Sequence, residues 1–199
     1  GGYSCTDGAS MVYTNSTAWV KREEEERWER SGAEALGPLL AADVQCGEAG
    51  CRQLSLAETG ATVWDGNELT TLDISAVGSN WTAAGLANDG VVMALGSGEL
   101  LMLRLDGTVA VVEDLVGHVD PSLRVLAVAA HTGTVAAQVT PVGGGARGIL
   151  VFRSGALIRR LQLPRKSLKG VCFQGDRLEA AAWGADGSIQ VVSLPLFLV

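Results

Sequence analysis

The residues best equipped for chemistry are His118 and His131, four cysteines, the glutamate run Glu23-Glu24-Glu25-Glu26 and the triple glycine Gly143-Gly144-Gly145. They fall into no catalytic pattern: the sequence has no GxSxG turn, no P-loop and no HExxH pair. The triple glycine lacks a following Lys-Ser/Thr and a helix start that would hold an anion, so it reads as a hairpin end. Cys46 and Cys51 sit in CGEAGC, far from Cys5 and Cys172. A zinc site would use tighter pairs with histidine close by, and neither histidine neighbours a cysteine. The cysteines therefore read as thiols, two buried and two in a loop. The glutamates read as a solvated helix face. No catalytic residue, metal or cofactor is expected, and the chain is not expected to be an enzyme.

Charge is more informative. The net charge is −7, which by itself disfavours nucleic acid. Yet no Asp or Glu occurs between Asp120 and Asp176, an interval holding Arg124, Arg147, Arg153, Arg159, Arg160, Arg165, Lys166 and Lys169. Those are eight of the 15 basic residues, a sector of +8 that leaves −15 for the rest. The tightest cluster is Arg159, Arg160, Arg165, Lys166 and Lys169. Within the molecule these cations could face acidic loops or guard an edge strand. Toward a partner they suit an acidic protein segment, or phosphate in RNA or DNA. No aromatic residue is interleaved through 159–169, which disfavours base stacking.

The elements that position these residues are short strands. Hydrophobic residues make up 47% and the 26 glycines punctuate short apolar runs, a texture of an all-β chain. No apolar stretch is long enough to span a bilayer as a helix, and no membrane partner is expected. Segment 178–194 reads as two strands around the turn Ala185-Asp186-Gly187, with Asp-Gly supplying the turn conformation. The same design recurs. One unit runs through 39–44, 52–57, 61–64 and 69–74; a second through 82–87, 91–95, 99–105 and 108–112. A third runs through 123–130, 134–140, 148–153 and 156–163, and a fourth through 170–173 and the 178–194 hairpin. Units of about forty residues, each a meander of up to four strands, indicate blades. Residues 10–13 form a further strand, a candidate for the outer strand the last unit lacks. Segment 17–36 is the one helix candidate: Ser16 or Thr17 caps it, Glu23 with Arg27 and Glu26 with Arg30 pair at i,i+4, and Gly37-Pro38 ends it. The division expected is 1–36, a strand plus a charged helical segment, and 37–199, the blades.

The third and fourth units resemble WD40 repeats. Gly117-His118 stands where that family has its Gly-His dipeptide, LRVLAVA (123–129) is similar to a first blade strand, and 149–152 falls where Trp-Asp closes a third strand. AAAWGADGSIQVVSL is similar to the second strand, Asp-Gly turn and third strand, with Val192 at the usual Trp position. Trp64-Asp65 is a literal Trp-Asp pair. The resemblance covers 52–194 and implies an all-β, β-propeller-like fold of antiparallel blades, with the one helical insertion noted above. It also implies that Gly117, His118, Asp186 and Gly187 are structural motif residues, with His118 bonding within its blade.

The expected function is a noncatalytic WD40-like scaffold subunit, intracellular in the cytoplasm or nucleus, that binds protein partners in a multisubunit assembly. The alternative is a ribonucleoprotein or nucleic-acid-associated subunit using the basic sector on phosphates. A secreted lectin or hydrolase-like propeller, glycosylated at the Asn15 or Asn80 sequon, ranks third.

Overall fold

The computed structural model describes residues 1–48, 50–74, 80–88, 90–106 and 109–195, with 106 and 109–114 given by their backbone. Turn residues cut the described chain into nineteen strands in five antiparallel sheets. Blade 1 holds β1 (Gly2–Thr6), β2 (Ala9–Tyr13), β3 (Ala18–Arg22) and β4 (Glu29–Arg30). Blade 2 holds β5 (Leu39–Gly47), β6 (Gly50–Ala57), β7 (Gly60–Trp64) and β8 (Leu69–Leu72). Blade 3 holds β9 (Trp81–Leu86), β10 (Gly90–Leu95), β11 (Glu99–Asp106) and β12 (Val109–His118). Blade 4 holds β13 (Leu123–His131), β14 (Thr134–Pro141), β15 (Gly148–Arg153) and β16 (Ala156–Gln162). Blade 5 holds β17 (Cys172–Gln174), β18 (Arg177–Trp183) and β19 (Ile189–Pro195). The expected units therefore recur nearly strand for strand. Of their turns, Asp89, Gly107 and the tail 196–199 lie outside the described residues.

The first strands of neighbouring blades touch in the order β1, β5, β9, β13, β17 and back to β1, so the five sheets stand around one axis. Apolar clusters fill the seams between consecutive blades. Met11 and Val20 meet Leu39 and Val44, Leu54 and Leu56 meet Leu86 and Met93, Leu100 meets Val135 and Phe152, and Ile149 and Val151 meet Phe173 and Leu178. The seam between blades 5 and 1 is built from polar bonds and a covalent link. Tyr3 N donates to Lys169 O at 2.9 Å, Gln174 Nε2 to Thr6 O at 2.8 Å and Gly175 N to Asp7 Oδ1 at 2.8 Å. Cys5 of β1 and Cys172 of β17 are disulfide-bonded across it.

Three expectations are corrected here. The four cysteines are not thiols: besides Cys5–Cys172, Cys46 and Cys51 are joined across the β5–β6 turn. The segment read as a helix is β3, an exposed turn and β4. Ala18 and Val20 are buried while Trp19 between them is exposed, and Val20 pairs with Met11 in the cluster of blades 1 and 2. That two-residue alternation outweighs the helical propensity of the glutamates. Finally, the strand read at 10–13 does not complete blade 5. It is β2, paired between β1 and β3, and among the described residues β19 is the outer strand of a three-stranded blade 5.

Because strands alternate in direction, the second-to-third turn of each blade shares one face with the connection to the next blade. We call this the upper face; the first-to-second and third-to-fourth turns lie on the lower. The hydrogen bonds agree: on the upper face Leu39 N donates to Asn15 O, Gly96 N to Asn80 O and Leu163 N to Arg147 O, at 2.7, 2.7 and 3.0 Å.

Candidate functional site

The basic cluster is divided by the fold. Arg159 and Arg160 are neighbours on β16, so their side chains leave opposite faces of that strand. Arg160 is exposed and, with His118, lies within electrostatic reach of Asp120. The Asp120 carboxyl is held below its ordinary value, chiefly by the backbone N–H of Ser122 at 2.8 Å and less by the charge of Arg160. Lys169 turns toward the ring axis, where its Nζ donates to Leu40 O at 3.1 Å. Burial, and secondarily the charge of Arg124, push its pKa down.

Arg165 and Lys166 behave differently. They are exposed on the connection from β16 to β17, which is pinned along its length. Buried Leu163 and Val171 anchor its ends. Leu168 N donates to Ala181 O at 2.7 Å, and Trp183 N to Lys166 O at 3.1 Å. Gln138, fully buried, donates from Nε2 to Leu168 O at 2.8 Å and accepts from Gly170 N at 2.7 Å. Gly170 has φ +144, and a Cβ there would run into the backbone of Tyr3. On this fixed support Lys166 adopts φ 62, a left-handed conformation uncommon for a residue with a side chain. Such conformations concentrate at functional sites.

Across from this connection, Arg147 enters from the β14–β15 loop and its Nη1 donates to Ser167 O at 2.7 Å. Gly145, Ala146 and Arg147 on one side and Pro164, Arg165, Lys166 and Ser167 on the other enclose an upper-face hollow of about 480 Å³. The structure thus brings Arg165 and Lys166 together with Arg147, which the tight sequence cluster omitted, and leaves Arg159, Arg160 and Lys169 outside this wall. The signal for Arg147 was its place in the acid-free interval; its partner across the hollow was not visible without the fold. A second hollow, also about 480 Å³, opens on the lower face between blades 3 and 4, lined by Met102, Arg104, Leu115 and His131 among others.

The motif residues lie near strand ends. Gly117 ends β12 against Phe152 and Leu100, leaving no space for a Cβ. His118 is exposed, its ring beside Gly98. Asp186 Oδ1 accepts from Ser188 N at 3.0 Å and from its Oγ at 2.5 Å, bonds that hold its carboxyl low, and Gly187 at φ 81 completes the β18–β19 turn. Trp64-Asp65 closes the third strand of blade 2, where Asp65 accepts from Asn67 N and Glu68 N at 2.9 and 2.7 Å.

No protein-family model matches the chain, and no curated protein matches it. Solved structures do. Myxococcus xanthus glutaminyl cyclase superposes with a TM-score of 0.58 at 13% identity, covering 97% of this chain and 90% of that one. YCF48 bound to D1 peptide gives 0.54 at 15% identity, covering 95% and 61%. A chain of the Mitotic Checkpoint Complex gives 0.50 at 11% identity, covering 98% and 63%. The chain is a five-bladed β-propeller. It spans about three fifths of the latter two chains. At these identities the likeness establishes the fold, and the propellers compared include an enzyme as well as a peptide-bound protein and a member of a complex.

Proposed function

We propose that this propeller is a noncatalytic scaffold subunit that docks an acidic segment of a partner protein on the upper face of blades 4 and 5. The observation that carries this reading is the hollow walled by Arg147, Arg165 and Lys166, three cations on rigid supports in the sector without acidic residues. Positive charge presented on fixed backbone attracts carboxylates without an ordering cost at the moment of binding. YCF48 bound to a peptide and a propeller within the Mitotic Checkpoint Complex support the reading by analogy of fold.

The test is anisotropy of a fluorescein-labelled glutamate-rich peptide against the wild-type chain and Arg165→Glu/Lys166→Glu, with a single-stranded RNA oligonucleotide as the competing probe. Charge reversal is expected to weaken the peptide at least tenfold, about 1.4 kcal/mol. Purification of the native protein with and without nuclease extends the test. Stoichiometric protein partners that survive nuclease and are lost on charge reversal support the scaffold. Partners that vanish with nuclease, together with RNA binding of steep salt dependence, transfer the site to nucleic-acid phosphates. Recovery of the native protein only as a free monomer overturns both.

A further inference from the structure

We infer that Asn15 and Asn80 are N-glycosylation sites and that the protein matures in an oxidising compartment. Each asparagine begins an Asn-x-Ser/Thr sequence without proline, Asn15-Ser16-Thr17 and Asn80-Trp81-Thr82. Both are exposed on the upper face. Asn15 sits in the β2–β3 turn, which Thr14 Oγ1 closes by accepting from Ser16 N and Thr17 N at 3.3 and 3.2 Å. Both asparagines have their backbone carbonyls engaged, by Leu39 N and Gly96 N.

Two independent features support the assignment. All four cysteines are paired, one pair joining the first blade to the last, and such bridges persist where the surroundings are oxidising. That argues for an extracytoplasmic setting over the intracellular one expected from sequence. The second feature is Thr82. Its Oγ1 is buried and has no hydrogen-bond partner, so the folded protein gains nothing from a hydroxyl that valine would replace at equal volume. The sequon, by contrast, requires that hydroxyl while the chain is being modified, before the fold encloses it.

The co-reactant is a lipid-diphosphate-linked oligosaccharide. The asparagine Nδ2 forms a bond to the anomeric carbon of the first sugar, the bond from that carbon to the diphosphate oxygen breaks, and the lipid diphosphate leaves with the bonding pair. Nδ2 gives up one proton to solvent; no oxidation or reduction occurs. Glycans at these positions stand over the seams of blades 1 with 2 and 2 with 3, and leave the hollow of blades 4 and 5 open.

The experiment is peptide mass spectrometry of the protein isolated from its own cells, before and after peptide-N-glycosidase. Enzyme-dependent conversion of asparagine to aspartate at both positions is expected, with loss of the Asn80 glycan in Thr82→Val while its melting temperature stays equal or rises. That pairing separates loss of the sequon from loss of the fold. Unmodified asparagine in the native protein at either position overturns the assignment for that position.

Discussion

Asp43 is a carboxylate enclosed by three blades. It lies on β5 and accepts from Ser4 Oγ of blade 1, from its neighbour's Val44 N at 2.9 Å and from Leu86 N of blade 3 at 2.6 Å. Desolvation pushes its pKa up to about 6, against the lowering effect of those donors. A carboxyl raised in the folded state favours folding when protonated. Its contribution is full below pH 3.8 and is lost as pH rises through about 6. At about 1.4 kcal/mol per unit, the whole effect is about 3 kcal/mol. Urea unfolding is therefore expected to show higher stability at about pH 5 than at about pH 7.5, and Asp43→Asn to flatten the difference. An unchanged slope in the variant would sink this account. The turn aspartates Asp65, Asp120 and Asp186 act in the opposite sense, since their lowered pKa values make stability that is lost as pH falls through the acid range. Lys166 offers a second test at this scale. Its left-handed backbone costs a side-chain-bearing residue about 1–2 kcal/mol. Lys166→Gly is expected to raise the denaturation midpoint while weakening the acidic peptide, a split that a purely structural role would not produce.

At the scale of elements, the segment from Ala18 to Arg30 decides between local propensity and tertiary pattern. If it were a helix, Glu24→Gly/Glu26→Gly would cost about 2 kcal/mol. On the exposed turn between β3 and β4 the same pair is expected to change stability by no more than about 0.5 kcal/mol, read from urea midpoints. Met11→Ala, which empties a fully buried position opposite Val20, is expected to cost about 2–5 kcal/mol. The contrast explains what the sequence could disclose. From Leu39 onward, turn pairs such as Thr132-Gly133 and Ser154-Gly155 mark strand ends. In the structure all four of those residues have positive φ, as the two-residue hairpin turn demands. In the first blade the charged run supplied convincing i,i+4 pairs, and the alternation that overrides them spans just the short β3. Asp43, the acid inside LLAADV, was not singled out from sequence, because its donors come from three separate blades. Arg147 and Lys166 likewise meet only once the blade 4 loop and the blade 5 connection are folded together.

For the whole molecule the question is how the ring stays shut. Among the described residues blade 5 has three strands, its outer strand β19 carries exposed Ile189 and Val191, and β2, the strand that sequence offered as its fourth, is used inside blade 1. Closure therefore falls to the β1–β17 seam, where Cys5–Cys172 joins residues 167 apart in sequence. Cys46–Cys51 spans a separation of 5. If a cross-link acts by restricting the unfolded chain, the two should differ by the logarithm of these loop lengths, about 3 kcal/mol in favour of the long one. Cys5→Ala/Cys172→Ala is then expected to lose about 3 kcal/mol more than Cys46→Ala/Cys51→Ala in urea unfolding. Equal losses would mean that the polar seam of Tyr3, Gln174 and Gly175 closes the ring without the bridge. Because the hollow rests on the connection whose Lys169 carbonyl receives Tyr3 N, opening the seam should also slacken Arg165 and Lys166. The long-bridge variant is accordingly expected to weaken the acidic peptide under native conditions, whereas the short-bridge variant, on the lower face of blade 2, leaves it unchanged.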